Sequence, residues 1–168
     1  MERPPKPTPS WALSFPAPHS RPLGMSLDAL HELMTTKVAT VDFIVIDARR
    51  TDVDVRPPVI YSLLDLIVVI SRQAVIPGAI NLPAQTFYPL LPSLNSLLAK
   101  IPIVVFYCSS SLGRATRCAG WFGDALPSDS ECKIFILEGG MKAWRARFGE
   151  DKRMTTVMPL EEGEGSRK

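Results

Sequence analysis

The sequence predicts an α/β domain, a central parallel sheet with helices on both faces. Three observations predict it. Short β-branched or aromatic runs, such as Ile103–Tyr107 and Lys133–Leu137, alternate with stretches whose apolar residues recur at helical spacing. Alternation of that kind gives strands joined by crossover helices, hence a parallel sheet covered on both sides. The chain has 168 residues, one domain's worth and enough to bury a core.

Residues 1–24 hold seven of the sixteen prolines, interleaved with Ser, Ala and Lys. That composition cannot pair backbone groups into regular structure, so a disordered lead is predicted. It lacks the apolar core of a signal peptide. The domain proper is read as 25–149. Ser26 is the expected N-cap of a helix with Leu27, Leu30 and Leu33/Met34 on one face. Residues 41–46 form a strand that ends in Asp47-Ala48-Arg49. Residues 76–83, Ile-Pro-Gly-Ala-Ile-Asn-Leu-Pro, give a turn, a short strand and another turn, and residues 94–100 a short helix stopped by Pro102.

Ile103–Tyr107 is the central strand, and the helix that begins at Arg114 carries Ala115, Cys118, Ala119 and Phe122 as a core stripe. Lys133–Leu137 is a further strand. Gly139-Gly140 allows a tight turn into a helix holding Met141, Trp144 and Phe148. Residues 150–168 are charged and Gly-rich, and read as a frayed tail.

Residues 55–73 do not fit this alternation. They contain an apolar run from Leu63 to Ile70, broken once by Asp65, which would be an aggregation hazard if exposed. The segment is too short and interrupted to span a bilayer. An added element packed on the domain or a dimer contact would account for it. The reading preferred from sequence is a retained intron: nineteen residues are a whole number of codons, and Val55-Arg56 and Gln73 are compatible with splice-site codons.

A formal net charge of +2 gives no field for nucleic acid or a membrane surface. Three cysteines with no C-x-x-C argue against a disulfide framework and a zinc site, and His19 and His31 lie far upstream, so no metal is expected. A reducing setting follows: cytoplasmic, with the nucleus also open.

The chemistry is concentrated after the central strand. Cys108 stands where the strand stops, Ser109, Ser110, Ser111, Leu112 and Gly113 form a tight loop, and Arg114 opens a helix. Small residues let successive backbone N–H groups point inward, and the helix start adds unpaired donors and a positive dipole end. Such surroundings favour a thiolate. A guanidinium at Arg114 could hold two oxygens of a tetrahedral anion at once. In open parallel sheets ligands bind beyond the carboxyl ends of the strands, where Cys108 falls. The alternative is a buried, inert cysteine.

Asp47-x-Arg49, the 76–83 stretch, the Cys108 loop and Leu-Glu-Gly-Gly-Met-Lys-Ala-Trp at 137–144 stand in the order seen in rhodanese-like domains, which the chain resembles over about residues 25–148. The five-residue spacer between Cys108 and Arg114 is similar to the branch holding the cell-division-cycle dual-specificity phosphatases and the eukaryotic arsenate reductases. The resemblance implies a single rhodanese-like domain. It makes Cys108 the nucleophile, Arg114 the oxyanion clamp and the amides of Ser109 to Gly113 the cradle, with Asp47 buttressing the loop. The implied substrate is a phosphate- or arsenate-like oxyanion, the phosphate borne by a phosphoprotein among other carriers. No bound cofactor is implied, but an arsenate reductase would draw electrons from glutathione or glutaredoxin.

Three departures qualify this. The loop lacks the acidic residue some family phosphatases carry, Ala115 replaces a usual glycine, and Ala48 stands where phosphatases of the branch often keep a second cysteine. Cys118 is the nearby candidate resolving thiol, weighed against a packed core residue. Glu138 reads as a turn residue rather than a catalytic acid. A thiosulfate-type sulfurtransferase and a rhodanese-like binding module without turnover are the alternatives.

Overall fold

The computed structural model describes residues 9–50 and 74–157. The 55–73 segment therefore lies outside the described residues. Five strands form one parallel sheet: β1 (Leu23–Met25), β2 (Phe43–Asp47), β4 (Ile80–Asn81), β5 (Ile103–Tyr107) and β6 (Lys133–Leu137), in the order β1-β6-β5-β2-β4. A separate antiparallel pair joins β3 (Ala74–Val75) to β7 (Thr156–Val157). The helices are α1 (Leu27–Thr36), α2 (Ala84–Leu98), α3 (Arg114–Ala125) and α4 (Gly140–Phe148).

Successive strand residues face opposite sides, so the core is split in two. Ile44, Ile46, Val104, Phe106 and Cys108 pack with α2 and α3. Phe43, Val45, Val105 and Tyr107 pack with α1 and α4. Cys108 thus lies on the same face as the helix that begins at Arg114. Leu30 of α1 is fully buried, and Ser26 Oγ caps that helix by accepting from Ala29 N at 3.2 Å, as expected. Among the described residues no helix is long and apolar enough to cross a membrane.

The structure departs from the sequence reading in four places. The strand expected at 41–46 is Phe43–Asp47, because residues 38–42 form a turn in which Asp42 Oδ2 accepts from Val38 N at 2.8 Å. The helix expected at 94–100 begins ten residues earlier, at Ala84, and runs through Pro89 and Pro92. Proline inside a helix costs about 3 kcal/mol. Here Phe87, Leu91, Leu94 and Leu98 are buried at alternating spacings of four and three, and each contributes roughly 1.5–3 kcal/mol, so burial outweighs it.

Of the proline-rich lead, residues 9–24 are described, and they pack on the domain. Trp121 Nε1 of α3 donates to the Pro16 carbonyl at 2.8 Å, and Phe15 packs on Tyr88 and Trp121 with ring centroids 5.1 and 5.8 Å apart. Asp124 accepts from His19 N, Ser20 N and Ser20 Oγ, each at 2.7 Å. Proline lacks a donor, but its carbonyl still accepts. Gly120 makes room: a Cβ there would lie 2.7 Å from Pro18 Cβ.

The tail expected to fray at 150 is structured to residue 157. Met154 is buried, its carbonyl accepts from Trp144 Nε1 at 2.8 Å, and β7 follows.

Candidate oxyanion site

Cys108 closes β5 in the middle of the sheet and is 3% exposed. The main chain then turns through residues 109–113 into α3. Ser111 adopts the left-handed region, with φ 57°, and its carbonyl accepts from Thr116 Oγ1 at 2.7 Å. A non-glycine residue there is uncommon and reflects a turn held by its surroundings. The Ser111 side chain is buried with no hydrogen-bond partner. Ser109, Leu112 and Gly113 face solvent.

Two further carbonyls are tied from outside the loop. Met141 N donates to Cys108 O at 2.9 Å and Lys142 N to Ser109 O at 3.0 Å, both from the first turn of α4. Among the described residues the N–H groups of Ser109 to Gly113 have no acceptor. Unpaired donors in a row beside a helix start are suited to an anion. Arg114 closes the ring: its Nη2 donates to Ser109 Oγ at 3.0 Å, which brings the guanidinium across the loop to the residue next to Cys108.

Asp47 stands at the end of β2, the strand next to β5, in register with Tyr107. Its carboxylate accepts from Arg49 Nε at 2.9 Å, from Arg49 Nη2 at 2.6 Å and from the Tyr107 hydroxyl at 2.9 Å, all buried. It therefore meets the residue before Cys108 and stiffens the strand ends below the loop. Burial, followed by the Asp47 charge, pushes the Tyr107 phenol well above its ordinary range and keeps it protonated. The sequence reading gives Tyr107 and Arg49 no role of their own; the Asp47-x-Arg49 spacing is the signal it offers.

Cys118 is fully buried on α3 within the same core cluster as Cys108. Burial, with Cys108 nearby adding to it, pushes its thiol far up, so it is a poor nucleophile where it stands. Cys132 is half-buried, its thiol also raised by burial, and lines a groove of about 910 Å³ at the opposite end of β5 and β6. That groove is remote from Cys108 and belongs to neither the loop nor α4. A Cβ on Gly24 of β1 would meet Glu138 Oε1 at 2.5 Å, so the Glu138 carboxylate leans over the edge strand. Among the described residues no cluster of three metal-ligating side chains occurs.

Residues 26–147 match the sequence model of the rhodanese-like domain. No curated protein matches in sequence. Among solved structures, the chain is similar to a yeast protein tyrosine phosphatase of the rhodanese family (19% identity, TM-score 0.61, 82% of this chain and 93% of that one). It is also similar to an As-Sb reductase from Leishmania major (23% identity, TM-score 0.57, 84% and 89%). At these identities the likeness is one of fold.

Proposed function

The chain belongs to the rhodanese-like domain family, and on that premise we propose that it is a thiolate enzyme acting on tetrahedral oxyanions, with Cys108 as nucleophile and Arg114 as clamp. One observation carries the reading: the Arg114 guanidinium reaches back to Ser109 Oγ at 3.0 Å, over a loop whose N–H groups have no acceptor among the described residues. Five donors and a planar cation around one thiol match three oxygens of an arsenate or phosphate better than a single sulfur atom.

The Cys108 thiolate attacks phosphorus or arsenic in line, and the oxygen opposite departs. With a phosphate ester, the S–P bond forms as the ester P–O bond breaks; water then hydrolyses the cysteinyl phosphate and restores the thiolate. With arsenate, an S–As bond replaces an As–O bond and the oxygen leaves as water. Two thiols, Cys108 with glutathione or two of glutathione or glutaredoxin, are then oxidised to one disulfide as arsenic falls from +5 to +3. The loop itself contains only Ser, Leu and Gly. A group leaving as water needs less help from a positioned acid than an alkoxide does, which favours the arsenate arm.

The purified protein offered an aryl phosphate, arsenate with glutathione and glutaredoxin, and thiosulfate with cyanide decides among these. Turnover of arsenate or the aryl phosphate is expected. Turnover of thiosulfate alone, or of none, would overturn the proposal.

A further inference from the structure

We propose that the first turn of α4 is the positioning device of the oxyanion loop, with Gly140 as the residue that permits it. The inference rests on the reading of the loop as an oxyanion cradle. A trans peptide unit is planar, with its C=O and N–H pointing opposite ways, and the described backbone has no cis bond. The Cys108 carbonyl is bound by Met141 N and the Ser109 carbonyl by Lys142 N. The N–H groups that share those two peptide units belong to Ser109 and Ser110, and must point away from α4. Tying back two carbonyls therefore aims two donors.

Close approach of the helix makes this contact. Gly140 has φ 59°, where a side chain is strained. A Cβ on it would overlap Cys108 O and lie 2.9 Å from both Ser111 N and Ser111 Oγ. Three parts of the loop thus converge on the one spot that Gly140 leaves empty. The N–H groups of Met141, Lys142 and Ala143 are occupied by carbonyls, so those three donors do not bind the anion themselves. Each carbonyl bond also polarises its peptide unit and strengthens the N–H on the other side.

The test uses the full chain carrying Cys108→Ser, which cannot turn over, titrated with arsenate and with phosphate by calorimetry and by backbone amide NMR. The Ser109 and Ser110 amides are expected to shift on binding. Adding Gly140→Ala, or separately Lys142→Pro, should raise the dissociation constant at least about tenfold in a chain that circular dichroism finds folded, and should shrink those amide shifts. Lys142 is exposed and proline is tolerated in the first turn of a helix, so this variant decides the matter if Gly140→Ala does not fold. A merely structural role would lower the melting temperature and leave the anion-induced amide shifts intact. Equal affinity with and without the added change overturns the positioning role alone. Failure of Cys108→Ser to bind either anion overturns the cradle, and the positioning role with it.

Discussion

The Tyr107 hydroxyl donates to Asp47 Oδ2 at 2.9 Å across the seam between β5 and β2, one residue before Cys108. Both residues stand at strand ends in register with each other, and Ala48 N donates to Tyr107 O at 2.8 Å. The strand ends beneath the loop are thereby fixed by a buried polar cluster, in which burial and then the Asp47 charge hold the phenol in its neutral form.

Stability should accordingly fall as pH rises above 10, the ordinary tyrosine value: the unfolded chain loses the Tyr107 proton there and the folded chain keeps it. Each such proton gives a slope of about 1.4 kcal/mol per pH unit. Tyr107→Phe should cost about 1–3 kcal/mol at neutral pH and flatten the alkaline limb. Cys118, also raised by burial, contributes from about 9.0 upward in both proteins, so the difference between the curves isolates Tyr107. Urea titrations from neutral to strongly alkaline pH measure it. Parallel alkaline limbs would mean that Tyr107 ionises freely.

Cys108→Ser should abolish turnover and leave folding and anion binding nearly intact, because the loop amides remain. Steady-state rates beside calorimetric binding check this. Activity above about a tenth of wild type would remove Cys108 as nucleophile.

Arg114→Lys keeps the charge but loses the planar fork that reaches Ser109 Oγ. A loss of roughly 1.5–3 kcal/mol, or about 10- to 150-fold in rate, is expected from charge-assisted hydrogen bonds of this kind. Unchanged kcat and KM would place the guanidinium in solvent.

Gly120→Ala tests the lead segment by the sign of its effect. On an open helix the change should stabilise by about 1 kcal/mol. With the lead in place, the new Cβ would lie 2.7 Å from Pro18 Cβ and 3.0 Å from Ser20 O, and overpacking should cost about 1–3 kcal/mol. A lower thermal midpoint, with faster proteolysis near residue 20, is expected; a higher midpoint would take the lead off α3.

The local code of this chain was sufficient for its central elements. Ser26 caps α1, the stripe of Ala115, Cys118, Ala119 and Phe122 faces the core, and β5 and β6 have their expected bounds, because each is fixed by spacing within one element. The order thiol, small-residue loop, helix start was legible for the same reason: three features lie within seven consecutive residues. Tertiary structure decided the rest. Only the sheet sets Tyr107 opposite Asp47, and only the docking of α4 brings Met141 N to Cys108 O over a separation of 33 residues. Pro89 and Pro92 stand inside α2, a helix sustained by the burial of Phe87, Leu91, Leu94 and Leu98. The lead looks disordered until the Trp121 indole meets the Pro16 carbonyl. Composition and periodicity describe what a segment can do with its own backbone; hydrogen bonds and apolar contacts supplied by distant segments appear only when the chain is folded.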